Sequence, residues 1–90
     1  MVGKPYNDQR DEDHWIRTFD DNVPEQELVW HRDREDRIVE VLEGQGWSFQ
    51  RDNELPFELN VGDVFEIDQM VYHRLIKGTT SLKIRIKERR

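Results

Sequence analysis

Val29-Trp30-His31-Arg32-Asp33-Arg34-Glu35-Asp36-Arg37-Ile38-Val39-Glu40-Val41-Leu42-Glu43-Gly44 is the stretch on which the fold turns. Its front, together with the preceding Leu28, reads as a short strand from Leu28 to His31. Asp36 to Leu42 reads as a second, rich in β-branched residues and stopped by Glu43-Gly44-Gln45-Gly46. Outward from it the same signals recur. His14 to Phe19 predicts a first edge strand, ended by Asp20-Asp21-Asn22, and Pro24 to Gln26 a turn. Trp47 to Gln50 continues as a strand, and Arg51-Asp52-Asn53 turns the chain. Phe57-Glu58-Leu59 leads to a turn at Val61-Gly62-Asp63, then Val64 to Ile67 and Val71 to Ile76 follow as strands. Leu82 to Lys87 closes the series with strict period-two alternation. No convincing helix emerges: Glu25 to Arg37 has helical charge content, but its apolar residues cluster at Leu28 to Trp30. Seven or eight short strands with turns at close intervals predict an all-β antiparallel barrel or sandwich.

The chain has 90 residues, enough for one domain. We expect a flexible polar arm over residues 1–13 and a barrel over residues 14–90. Hydrophobic residues make up 34% and charged residues 38%. Three Trp, four Phe and two Tyr among alternating aliphatic runs still argue for a packed core and against disorder. A barrel this small gains from closure and from pairing with a second copy. There is no cysteine, hence no disulfide framework, no Cys-ligated zinc and no thiol nucleophile. The apolar runs are far shorter than a membrane span, and Met1 to Asp13 lacks the apolar stretch of a signal peptide, so a cytoplasmic protein is the expectation. The net charge of −6 argues against nucleic-acid binding, and the basic end from Lys83 to Arg90 reads as the solvent side of a last strand. No Gly-rich phosphate loop is present, and Ser48 and Ser81 lie in no nucleophile-bearing motif.

The residues that could carry chemistry are His31, Asp33 and His73. On a strand, residues two apart face the same side, so His31 and Asp33 can point at one centre, while His73 arrives from a later strand. Two imidazoles and one carboxylate on one face make a facial metal-binding triad with open positions, suited to iron, zinc, manganese or nickel. As members of half-buried strands, His31 and His73 also read as hydrogen-bonded core histidines. Spacing adds to the first reading. His31, Asp33, Arg37 and Gly44 follow the pattern His-x-His, three residues, Glu, six residues, Gly. Gly62, Asp68, Met70 and His73 follow Gly, five residues, Pro, x, Gly, two residues, His.

These two motifs, over Val29 to Ile76, resemble those of a small single-domain cupin of the RmlC-like jelly-roll type. The resemblance implies a cupin β-barrel with a site in its interior, commonly a divalent metal, and frequently a homodimer. His31 and His73 match metal-binding histidines, and Asp33 replaces the second histidine of the first motif. Arg37 stands where the family has its glutamate and cannot be a ligand, because a guanidinium stays protonated and offers no lone pair. At about 4 Å from a cation it costs roughly 4 kcal/mol per unit of metal charge at an effective dielectric of about 20. Asp68 and Met70 replace the motif's proline and glycine, which alters the turn into His73.

Arg37 therefore divides the functional reading. In one, Asp33 holds the metal and Arg37 receives a carboxylate or phosphate of a small anionic ligand. The protein would then be a metal-dependent cupin, with oxygenase or isomerase chemistry suiting an open site. In the other, Arg37 pairs with Asp33, and a metal-free barrel serves as a binding or assembly module. Trp47, Phe49 and Tyr72 read as barrel-wall aromatics and candidate ligand contacts. Arg85, twelve residues after His73, has a spacing reminiscent of the arginine that holds 2-oxoglutarate in related oxygenases. Alternating arginines on strands otherwise form solvated faces.

Overall fold

A computed structural model of the chain describes residues 6–10, 14–20 and 28–89. They form eight strands: β1 (Tyr6–Arg10), β2 (His14–Phe19), β3 (Asp36–Glu43), β4 (Ser48–Arg51), β5 (Phe57–Glu58), β6 (Val64–Ile67), β7 (His73–Ile76) and β8 (Leu82–Arg89). One sheet has the order β1-β2-β8-β3-β6 and the other β5-β4-β7. Every pairing is antiparallel. There is no helix among the described residues, hence none long and apolar enough to cross a membrane.

Side-chain alternation decides which way each strand faces. On β8, Leu82, Ile84 and Ile86 are buried while Arg85 and Lys87 are exposed, the pattern of a strand with one wet face. Val39 and Val41 of β3 and Trp15 and Phe19 of β2 bury from the same sheet. Phe49 of β4 meets them from the other. Its ring lies 4.8 Å from that of Phe65 on β6 and 5.5 Å from that of Phe57 on β5, so the inner faces of the two sheets share one aromatic cluster. Each large apolar side chain fully buried in this way contributes about 1.5–3 kcal/mol. Trp47 is completely buried just ahead of β4, and its indole N–H donates to the Thr80 carbonyl at 2.6 Å. On the wet face of the large sheet, Arg85 pairs with Glu40 at 2.7 Å directly across β8 and β3.

The turn from Asn60 to Asp63 shows why one motif glycine is needed. Asp63 N–H donates to the Asn60 carbonyl at 3.0 Å, and Asn60 N–H donates to the Asp63 carboxylate at 2.8 Å. Gly62 holds the third place with φ of 94°, where a side chain is strained. Gly62 N–H and the Asp63 carbonyl then both bond to Val41, tying the turn to β3.

Three expectations change. Residues 1–13 were expected to form a flexible arm, yet Tyr6–Arg10 is a strand. It pairs with β2 from Tyr6↔Phe19 to Arg10↔Trp15, and Arg17 of β2 grips the Asp8 carboxylate at 2.8 and 3.1 Å. His14–Phe19 is consequently interior to its sheet, and β1 is the edge. Leu28 to His31 is no strand: it contributes a single rung, His31 opposite His73, because β7 begins only at His73 after a tight turn. The expected turn at Pro24 to Gln26 lies outside the described residues.

Candidate metal centre and cavity

The site starts from that single rung. His31 N–H donates to the His73 carbonyl at 3.0 Å, and His73 N–H donates to the His31 carbonyl at 2.8 Å. Residues opposed in this way present their side chains on the same face. The two imidazoles accordingly meet edge to face with centroids 4.3 Å apart. Each ring is oriented by a carbonyl two residues upstream: His31 Nδ1 lies 3.0 Å from the Val29 oxygen and His73 Nδ1 2.9 Å from the Val71 oxygen. A carbonyl can only accept, so both Nδ1 atoms carry the proton. In a neutral ring this leaves Nε2 as a lone pair, the arrangement in which a histidine ligates a metal. His73 is buried and stacks on Phe49 at 5.5 Å, whereas His31 is exposed.

Asp33 lies two residues beyond His31, and its carbonyl accepts from Met70 N–H at 2.6 Å. Its carboxylate is divided. Oδ1 lies 3.4 Å from Arg37 Nη1, and Oδ2 lies 3.3 Å from His73 Nε2. Oδ2 is buried and makes no hydrogen bond. With the Nδ1 proton of His73 given to Val71, His73 can face that oxygen only with a lone pair when uncharged or with a second proton when charged. Only a cation reconciles two such acceptors, either a proton on Nε2 or a metal ion between them. Burial pushes the Asp33 carboxyl up, but a hydrogen bond from His73 when its Nε2 is protonated, the Arg37 charge and the charge the imidazoles carry when protonated outweigh it. The pKa lies below its ordinary value of 3.8, and the group is a carboxylate at neutral pH.

The donor set fits a divalent ion. One donor atom from each of His31, Asp33 and His73 lies within 4.8 Å of the others. Donors sharing an ion at about 2.1 Å stand roughly 3 Å apart, so loading requires a modest closure, for which exposed His31 has the room. Arg37 does not compete for the ion. Its Nη1 faces Asp33, its Nη2 lies 3.7 Å from a Glu35 oxygen, and its guanidinium lies 5.3 Å from the centre of the Trp15 ring. Its Nε is buried without a partner. A carboxylate has two oxygens, so the Asp33–Arg37 pair and a metal ligand at Oδ2 are compatible.

These groups occupy one end of a cavity of about 270 Å³ between the sheets. Of the residues expected at a site, His31, Asp33, Arg37, Phe49 and His73 line it. Trp47, Tyr72 and Arg85 do not. Trp47 is core; Tyr72 is 43% exposed beneath the Arg32 guanidinium, 5.2 Å from its ring centre; Arg85 is exposed and paired with Glu40. Arg17 lines the cavity without having been expected there. Its signal was available, since Arg17 falls between Trp15 and Phe19 in period two and so shares their inward face.

No protein-family model matches the chain, and no curated protein matches it. Solved structures do. The DMSP lyase DddQ from Ruegeria pomeroyi superposes with a TM-score of 0.73 at 14% identity, over 86% of this chain and 37% of the lyase. The Fe(II) form of HppE gives 0.65 at 20% identity, over 84% of this chain and 41% of HppE. A cupin-2 domain protein from Shewanella frigidimarina gives 0.65 at 18% identity, over 99% of this chain and 85% of that protein. The chain thus spans about two fifths of each of the first two. The fold is that of a cupin, with two histidines and a carboxylate gathered at one end of its barrel cavity.

Proposed function

We propose that the protein binds one divalent metal ion through His31, Asp33 and His73 and, beside it, a small anionic metabolite met by Arg37. The observation that carries this reading is the buried, unbonded Oδ2 of Asp33 facing Nε2 of His73 at 3.3 Å, with both histidine Nδ1 atoms committed to carbonyls. Iron, zinc, manganese and nickel all accept two imidazoles and a carboxylate. Such an ion supplies Lewis acidity and open positions for a substrate or dioxygen, so oxygen-dependent oxidation or isomerisation suits the site if it is catalytic. The chain's own residues orient the donors. Val29 and Val71 carbonyls fix the imidazoles, and Arg37 holds Oδ1 of Asp33 so that Oδ2 faces the histidines. The likeness to Fe(II) HppE is a likeness of fold and supports iron only as one of the metals to try.

A second reading has its own observation. Arg37 Nη1 lies 3.4 Å from Asp33 Oδ1, so the guanidinium balances the carboxylate charge by itself, as a metal-free binding module requires. Elemental analysis separates the two, on protein purified without chelators or an affinity tag and on its His31→Ala and His73→Ala variants. One metal ion per chain, lost in both variants, is the expected result. No uptake after incubation with iron, zinc, manganese and nickel would overturn the metal reading in favour of the ion-paired module.

A further inference from the structure

The cavity lining is divided by chemistry. His31, Asp33, Arg37 and His73 make its polar end, where His31 and neighbouring Val29 are exposed. The remaining wall is hydrocarbon and aromatic, including Phe19, Val39, Phe49, Leu59, Phe65 and Ile86. Arg17 is the other charged lining residue, and Asp8 holds its guanidinium through two hydrogen bonds. That pair is neutral as a unit, so with a divalent ion bound the excess charge lies at the polar end.

Resting on the metal reading for the placement of the head group, we infer that the cavity selects a small monoanion with an apolar body. The class is a monocarboxylate on an aromatic or branched hydrocarbon frame. Three properties point to it. Asp33 and Glu35, both beside Arg37, outweigh it by one charge, so a divalent ion between neutral histidines leaves the polar end with one net positive charge, and the buried Nε of Arg37 still has a hydrogen bond to give. Each ligand hydroxyl pressed against the apolar wall gives up its bonds to water without replacement, which disfavours sugars and polyols. A dry apolar cavity of about 150 Å³ accommodates benzene, whereas ligand sites commonly run from about 300 to 1,000 Å³. The 270 Å³ here admits a ring with a short acid arm and little more. Because the exposed lining is at the polar end, the body enters first and the head stays near the mouth.

Calorimetric titration of 3-phenylpropanoate, 3-phenyl-1-propanol and glucose 6-phosphate tests this, on the protein with metal and after chelation. In the loaded protein, 3-phenylpropanoate should bind at least about tenfold tighter than either competitor. Arg37→Gln should remove most of its advantage over the alcohol, with metal content measured in parallel so that loss of the anion contact is read on loaded protein. Glucose 6-phosphate binding as tightly as 3-phenylpropanoate would overturn the inference, as would absence of saturable 3-phenylpropanoate binding to loaded, folded protein. A protein that takes up no metal yet keeps the preference for 3-phenylpropanoate would instead overturn the metal reading and leave this one standing.

Discussion

His31 and His73 exchange both of their backbone hydrogen bonds, so the spacing of the two imidazoles is set by the main chain. Side-chain freedom is what usually loosens a metal site, and here it is confined to rotations about carbonyl-anchored rings. The rung joins the segment leading into β3 to the start of β7, so the two motifs that are far apart in sequence are fixed against each other by two peptide groups.

The two histidines nonetheless differ in what they support. His31 is exposed, and His31→Ala should change stability by no more than about 0.5 kcal/mol. Its effect falls on the metal: loss of one of three protein donors should weaken affinity on the order of 100-fold or more. His73 is 4% exposed and stacked on Phe49, so His73→Ala should lose the metal and also about 2 kcal/mol of stability. Metal titration alongside urea denaturation checks both. Equal destabilisation by the two changes would contradict the asymmetry.

Asp33 carries a pH signature. Its folded pKa lies below 3.8, so the fold favours the carboxylate form. A depressed carboxyl contributes stability that is fully present above the unfolded pKa and is lost as pH falls through the folded one. In chelated protein, wild type should exceed Asp33→Asn in stability at neutral pH. That difference should shrink as pH drops below about 4, where the Asp33 carboxyl takes up its proton and loses its favoured form. Urea midpoints measured across this range check it; a gap that grows toward low pH would reverse the sign.

Parity along the strands made much of this legible in the sequence. Leu82, Ile84 and Ile86 alternate with Lys83, Arg85 and Lys87, which fixes β8 and places Arg85 on the outer face. A spacing from His73 drew Arg85 toward the site, and parity overrules it. Tyr72 fails the same way, since its neighbour His73 faces inward. The donor triad was readable because motif spacing ties His31 and Asp33 to a distant His73. What could not be read is non-local. β1 is polar and charged, and it becomes a strand through its ladder with β2 and the Arg17–Asp8 pair. The shortening of Leu28–His31 to one rung depends on where β7 begins.

The turn into His73 offers a stabilising change. Val71 N–H donates to the Asp68 carbonyl at 3.3 Å, and Met70, at the third place of that turn, has φ of 64°. This is the position of the motif's glycine, and Met70 keeps the backbone conformation without the residue suited to it. The left-handed region costs a residue with a side chain about 1–2 kcal/mol, while glycine gains about 0.5–1 kcal/mol of unfolded-state freedom. Met70→Gly should therefore raise stability by about 0.5–1 kcal/mol, read from the urea midpoint. Met70 is 48% exposed, so little packing is lost, and its N–H bond to the Asp33 carbonyl survives the change. Metal affinity should be unaltered.

Gly78 sets the opposite case. A Cβ built there would collide with the Gln45 carbonyl oxygen and with Cδ1 and the backbone nitrogen of Trp47. Two of these atoms are backbone, and the third belongs to a fully buried indole whose N–H is already bonded to Thr80. None can move aside without breaking a contact. Thr79 N–H also donates to that Gln45 carbonyl at 2.9 Å, so shifting it loosens the loop between β7 and β8. Gly78→Ala should consequently cost about 2–4 kcal/mol, far more than an exposed loop substitution. The displaced Trp47 should report directly. Its fluorescence and near-ultraviolet dichroism should move toward a solvated indole in the folded variant, and the urea midpoint should fall. A variant with wild-type midpoint and an unchanged indole spectrum would mean that the loop packs against Trp47 less closely than this geometry requires.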